Sequence, residues 1–461
     1  MDLFDNINPL DYRYYGRSAA DFELLKQFLS ENARIKYQAK VEAALVKVLA
    51  KKGICTSKIA EEVEKAALAV TAEEVYAEED KIRHDVRALA NCIREKVSEE
   101  ARPFVHFSAT SYDIVDTASA VRFKDAVEKA LLPALFDLEK TIMKIALREK
   151  ETVQIGRTHG QHAEPITFGF AMASYVSRLG SRIKAIESAK NNLPGKFSGA
   201  VGAYNASSLF FEDPLEFEKE IMQELGLNAS ISSTQIVEPE PLVDLVHAVV
   251  SCFGVLANFS DDMRNLQRSE IAEVGEAFEA KQVGSSTMPQ KRNPINFENV
   301  KSFWKQYMPR MNTVYMDQIS EHQRDLTNSA SQRFLPEIIA ALFLSSKRLE
   351  KVVSKMSVDT ENMAANFEKS RGMIVAEPLY ILLAFYGHPD AHEEVRKLTL
   401  KAQAEKKPMQ ELIPHEKSLV PYLKKFSKKQ LEIIENPEKY TGFAVQKTEK
   451  IIAHWKKELK I

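Results

Sequence analysis

Glycine and cysteine are scarce in this chain: its 461 residues include 16 glycines and three cysteines. No glycine lies between Gly53 and Gly156 or between Gly284 and Gly372. Tight strand turns draw on glycine for positive φ, so they are hard to build across those stretches. Cys55, Cys92 and Cys252 are odd in number, far apart and without metal or redox spacing. That excludes a disulfide scaffold and fits reduced thiols in a cytosol. An excess of one charge is also missing, since 63 Lys and Arg meet 65 Asp and Glu for a formal net charge of -2. No global field draws such a chain to nucleic acid or to a membrane surface. The longest uncharged apolar stretch, Leu245 to Ser260, is shorter than the ~20 residues a bilayer requires. Met1 to Gly16 carries Asp2, Asp5, Asp11 and Arg13 and no apolar run, unlike a signal or transit peptide. The expectation is a soluble, cytoplasmic protein.

What is present is helical periodicity and a hydrophobic content of 44%, enough for a large core. From Val127, Leu131, Ala134, Leu135, Leu138, Ile142 and Ile145 step by three and four, and Leu242, Val246, Val249, Phe253, Leu256, Met263 and Leu266 do much the same. Such stripes predict helices of about 25 to 30 residues, roughly 40 Å long. The fold class expected is all-α, with three helical domains: 1–107, a central long-helix bundle 108–357, and 358–461. Pro408, Pro414, Pro421 and Pro437 limit the last of these to short helices.

Irregular sequence between long helices is where function usually sits. Seven of the 16 glycines fall between Gly156 and Gly202, and a second irregular stretch runs from Val283 to Pro294. In Gly284-Ser285-Ser286-Thr287-Met288-Pro289-Gln290-Lys291-Arg292-Asn293-Pro294, hydroxyls, amides and two cations gather on a loop that the prolines keep out of a helix. The composition suits carboxylate capture or a solvated connection; a nucleophile elbow is excluded because the second glycine is missing. Gly156-Arg157-Thr158-His159-Gly160-Gln161-His162-Ala163-Glu164-Pro165 places His159 between glycines at a helix approach, as a proton donor or a helix cap. No partner residues support a metal at His159 and His162. Thr110 or Ser111 can cap the next helix, with Asp113 in its first turn. Arg83-His84-Asp85-Val86 by default is a charged surface face. Gln235 stands at the entry to a long helix, and Glu321 to Arg333 is too polar for an ordinary helix face. Gly195-Lys196 is no phosphate loop, because Lys190 and Phe197 replace required residues, and no Gly-x-Gly-x-x-Gly occurs.

Together these stretches resemble the fumarase/aspartase superfamily, whose signature loop stands intact from Gly284 to Pro294. Within it the chain is similar to the adenylosuccinate lyase branch through Asp11-x-Arg13-Tyr14, Arg83-His84-Asp85-Val86, Thr110-Ser111-x-Asp113, Asp116-Thr117-Ala118, Arg157 to Pro165, Gly195 to Gly202, Thr234-Gln235, Arg324-Asp325 with Ser329 and Arg333, and Asn436 to Gly442. The resemblance implies β-elimination of fumarate from adenylosuccinate and from the succinylcarboxamide ribotide of purine synthesis, and the lack of a metal or dinucleotide motif predicts that no cofactor is needed. It implies Ser286 as general base and His159 as general acid. Lys291 and Asn293 would hold the succinyl carboxylates, with Thr110 and Ser111 assisting. Arg13, Tyr14, Arg324, Ser329 and Arg333 would take phosphate or ribose. His84, Asp85 and His106 would line the site, Gln235 would hold a succinyl or base group, and Glu298 would pair with His159. The superfamily's assembly implies a homotetramer whose active sites draw on three subunits. Ser108 departs from the family's usual glycine, so the backbone approach in that loop is expected to differ. Other readings are a fumarate-releasing lyase acting on argininosuccinate or a tricarboxylate, which the arginines and Arg83-His84-Asp85 oppose, and a catalytically silent helical protein, which intact Ser286, His159 and Lys291 oppose.

Overall fold

The computed structural model describes residues 5–278 and 287–461. Its architecture is all-α, as the periodicity predicts. The first apolar stripe forms a helical run in three parts, Ser111–Ala126, a π-helical turn Val127–Leu131, and Leu132–Arg148. Leu135 and Leu138 are fully buried there, and Ile142 is nearly so. The second stripe becomes Glu240–Leu266, 27 residues long, with Val249 and Phe253 fully buried. By length and hydropathy this helix could cross a bilayer, contrary to the sequence expectation, which counted only its uncharged stretch. Yet 61% of its apolar window is buried inside the protein, as in a core helix.

Strand structure among the described residues is limited to three two-stranded sheets. The largest is the antiparallel hairpin of Val153–Thr158 and Gln161–Thr167, which leads directly into the helix Phe168–Asn191. It occupies the glycine-rich stretch, where turn chemistry is available.

The chain forms two compact units, and neither is one continuous segment. The first comprises Met1–Phe136, Ser181–Leu256 and Ser302–Lys347; the second comprises Asp137–Gly180, Ala257–Lys301 and Arg348–Ile461. In the second unit, helices of 4 to 15 residues pack around Leu379, Leu383, Val395, Leu398, Met409 and Leu419. The prolines mark only the shortest of the region's helices: Pro414, Pro421 and Pro437 each stand in the first turn of a helix of three or four residues and Pro408 immediately precedes another, while Ala391–Glu405 and Ala444–Leu459 run to 15 and 16 residues.

Candidate active site

The first unit contains a cavity of about 490 Å³. It lies where helix termini meet. Arg83, at φ +59, ends the helix Ala72–Ile82 in the left-handed region, and extended His84 begins the helix Asp85–Glu95. His84 Nδ1 accepts from the Arg87 backbone N–H (3.3 Å), which leaves Nε2 as the ring's donor. Arg83-His84-Asp85 is therefore a helix-to-helix junction that lines the cavity, with Arg83 and His84 still exposed as the surface reading expects.

A second wall is the helix Ser111–Ala126, whose Ser111, Tyr112, Val115, Asp116, Ser119 and Arg122 line the cavity. Its start is fixed by Asp113, which is fully buried. Oδ2 accepts from the Thr110 backbone N–H (2.8 Å), while Oδ1 accepts from Lys196 Nζ and from the backbone N–H groups of Ser198 (3.1 Å) and Gly199 (3.2 Å). Thr117 Oγ1 accepts from Lys196 N–H (2.9 Å) and donates to Lys196 O (2.8 Å). The Asp113-x-x-Asp116-Thr117 and Gly195-Lys196 stretches are thus two halves of one buried network. Asp116 Oδ2 accepts from the Val237 N–H (3.0 Å). Burial pushes its carboxyl up to about 6, against a few stabilising charges.

Leading into this helix, His106 at φ +62 and Ser108 at φ +57 both occupy the left-handed region. Ser108 thus keeps the backbone conformation that glycine adopts freely. Burial works to lower the His106 pKa, but the Glu42 charge and hydrogen bond (Nδ1 to Oε1, 2.6 Å) overcome it and raise it. Glu42 is fully buried, and also accepts from the His106 N–H (2.9 Å).

Ser329 and Arg333 line the same cavity. Arg324 reaches its wall through Tyr112, donating to the phenol oxygen (2.5 Å) and stacking its guanidinium 4.3 Å from the ring centroid, while also donating to Asn328 Oδ1 (2.8 Å). Gln235 N–H donates to Gln323 O (3.3 Å), tying its loop to the Arg324 segment. The cavity brings together His84, Asp85, Ser111, Ser329 and Arg333, with Arg324 beside it. Arg13, Tyr14, His106 and Thr110 belong to the same unit but do not line it. Arg13 is exposed, and Tyr14 packs edge-on against Phe303 (4.4 Å).

His159, Lys291, Asn293 and Glu298 belong to the second unit. His159 (φ +53) and Gly160 (φ +75) form the two-residue tip of the hairpin, the geometry of a type I′ turn. This corrects the helix approach read from the sequence: the tip of a bulged strand pair, not a helix terminus, presents the exposed imidazole. Below the tip, buried Glu273 holds Arg157 with both oxygens (2.5 and 3.2 Å) and accepts from Gln154 (2.7 Å) and Asn366 (2.9 Å). His162 Nδ1 lies 2.6 Å from Ser370 Oγ; burial, and then the Arg157 charge, lower its pKa. Gly284, Ser285 and Ser286 lie outside the described residues. Lys291 follows a turn closed by its N–H on Met288 O (3.0 Å), and the helix Ile295–Tyr307 then begins under Glu276, which accepts from the Asn296 (2.9 Å) and Phe297 (3.0 Å) N–H groups. Glu298 is exposed in that first turn, and neither a hydrogen bond nor an ion pair joins it to His159.

Sequence reasoning missed Glu42, Glu273, Glu276 and Arg122. Glu42 had a usable signal, because Gln38, Glu42, Leu45 and Leu49 fall on one buried helix face.

Solved structures share this fold. The 3-carboxy-cis,cis-muconate lactonizing enzyme from Pseudomonas putida superposes with a TM-score of 0.83 at 22% identity, over 98% of this chain and all of the other. The fumarate lyase from Mesorhizobium sp. BNC1 gives 0.81 at 22% identity, over 94% and 97%. The fold class is that of the fumarase/aspartase lyases.

A family model described as Lyase matches residues 13–308, and one described as adenylosuccinate lyase C-terminal matches residues 320–441. The adenylosuccinate lyase of Archaeoglobus fulgidus is 35% identical over 98% of this chain and 99% of its own length. Those of Pyrococcus horikoshii and Methanocaldococcus jannaschii are each 34% identical over 97% of this chain and 98% and 95% of theirs. The chain belongs to the adenylosuccinate lyase family.

Proposed function

We propose that the protein is a C–N lyase that releases fumarate from adenylosuccinate to give AMP, and from the succinylcarboxamide ribotide to give its carboxamide product, in the cytoplasmic synthesis of purine nucleotides. The observation that supports this reading is the cavity, whose lining includes Ser329, Arg333, His84 and Asp85, with Arg324 bound to its lining residue Tyr112. Arginine forks match phosphate oxygens, while Ser111 at a helix start suits a carboxylate.

The elimination removes a carbon-bound proton beside a carboxylate and delivers a proton to the leaving nitrogen. Ser286 takes the first proton. Lys291 and Asn293 hold the carboxylates on which charge develops, and the Lys291 charge favours a serine alkoxide. His159 gives the second proton; the hairpin tip leaves its ring exposed to a ligand. Thr110, Gln235, Arg13, Tyr14 and His106 complete the site, which requires no metal or other cofactor. In this reading four copies assemble with D2 symmetry, each chain divided into segments 1–107, 108–357 and 358–461, and each site drawing on three chains.

The test is a spectrophotometric assay of the purified protein against adenylosuccinate, argininosuccinate and malate, with and without chelator. Turnover of adenylosuccinate alone, unaffected by chelation, is the expected result. Preference for either other substrate would overturn the reading.

A further inference from the structure

Arg122 stands apart among the arginines of the cavity. It is 6% exposed, and its Nε is buried without a hydrogen-bond partner. A buried guanidinium is ordinarily paired, because desolvating a charge is costly. None of the five carboxylates that line the cavity, Glu31, Glu79, Asp85, Asp116 and Glu238, comes within ion-pair distance of it. Glu31 is engaged elsewhere, accepting from Arg34 Nε (2.6 Å) and Tyr76 Oη (2.5 Å). The close neighbour of the Arg122 guanidinium is the Phe123 ring, 5.0 Å from its centroid.

Position gives this unpaired charge a direction. Ser111, Val115, Ser119 and Arg122 share one face of the Ser111–Ala126 helix and all line the cavity, so the helix runs along the cavity for about 16 Å at 1.5 Å per residue. Arg122 marks the end remote from Ser111. Arg34 also lines the cavity, and burial, followed by the Arg34 charge, pushes the Arg122 pKa down to about 10. Arg333 acts electrostatically on Glu31 from the same region. Arg34 is already engaged by two carboxylates, Glu31 and, at 4.0 Å, Asp85, so Arg122 is left as a buried cavity guanidinium with no carboxylate in ion-pair distance, a charge that a phosphomonoester oxyanion would meet.

We propose that Arg122, together with Arg34 and Arg333, binds the phosphate of a phosphomonoester ligand at the end of the cavity remote from Ser111. This rests on the nucleotide reading above and adds to it a residue outside the motifs that carry the family resemblance. Glu31 orients Arg34, and Arg122 supplies the charge that has no protein counterpart.

Calorimetric titration of the full-length protein with AMP and with adenosine tests it, using Arg122→Leu and, should that variant fail to fold, Arg122→Gln. Charged hydrogen bonds of this kind change affinity by about 30-fold. Expected is a loss of that size for AMP and less than a twofold change for adenosine. Thermal unfolding without ligand should rise in Arg122→Leu, because an unpaired buried charge is removed. AMP affinity within twofold of wild type, or an equal loss for adenosine, would overturn the proposal. So would lowered thermal stability with AMP binding intact, which would make Arg122 a structural residue. Should wild type bind neither nucleoside form, the nucleotide reading fails, and inorganic phosphate decides this one separately: it must raise the unfolding temperature of wild type but not of Arg122→Leu.

Discussion

Lys196 donates from Nζ to Asp113 Oδ1, and neither side chain has any exposed surface. The pair joins the start of one long helix to a loop 83 residues further along the chain. Its worth lies in completeness, because Asp113 also accepts from the backbone of Thr110, Ser198 and Gly199. Replacing Lys196 by Met strands a buried carboxylate, and removing one partner of such a pair costs about 3–5 kcal/mol. Chemical denaturation of Lys196→Met should show a loss of that order. Replacing both members together should cost less than the sum of the single changes, and strict additivity in the double-mutant cycle would rule out direct coupling.

The His106–Glu42 pair makes stability depend on pH. The His106 pKa is raised in the folded protein from its ordinary 6.5, so its contribution is complete below 6.5 and is lost as pH rises through the folded value. Thermal unfolding measured from pH 5.5 to 9 should therefore show wild type losing stability on the alkaline side in a step that Glu42→Gln lacks. Parallel curves for the two proteins would contradict this linkage.

The helices were legible because apolar residues step by three and four over long stretches, as at Leu131, Leu135, Leu138 and Ile142, and burial follows that step. The Gly195 to Gly202 stretch was recognisable as a pattern, but its partner was not, since a contact 83 residues apart leaves no local periodicity. His159 was visible as a candidate while its hairpin was not: the tip needs only His159 and Gly160 at positive φ, and the Asn-Gly or Asp-Gly pair that signals such a turn is missing. Arg122 was hidden because it interrupts an apolar stripe in the manner of an ordinary surface residue, and only the cavity reveals that it is inside.

Asp116 provides a contrast to His106. Burial raises its carboxyl from 3.8 to about 6, so the neutral form is favoured in the folded state. Its contribution is fully present below pH 3.8 and is lost as pH rises through about 6. Asp116→Asn keeps an acceptor for the Val237 N–H without the charge. The variant should unfold at a higher temperature than wild type above pH 6, with the difference shrinking toward pH 4. An advantage that stayed constant with pH would assign the effect to packing instead of ionisation.

The shared-site assembly makes the most demanding prediction. On the proposed roles, Ser286→Ala should remove most turnover while leaving substrate binding measurable, because a base acts on the transition state and Lys291 and Asn293 remain to hold the carboxylates. His159→Ala should be similarly inactive. If each site takes His159 from one chain and Ser286 from another, mixed tetramers contain some sites in which both residues are intact. With equal amounts of the two variants and random assembly, each residue is intact in about half of the positions, so roughly a quarter of sites are whole. Two inactive proteins unfolded and refolded together should then recover about a quarter of wild-type activity, while either refolded alone stays inactive. Demonstrably mixed tetramers with no recovered activity would place both residues of a site on one chain and refute the shared-site arrangement.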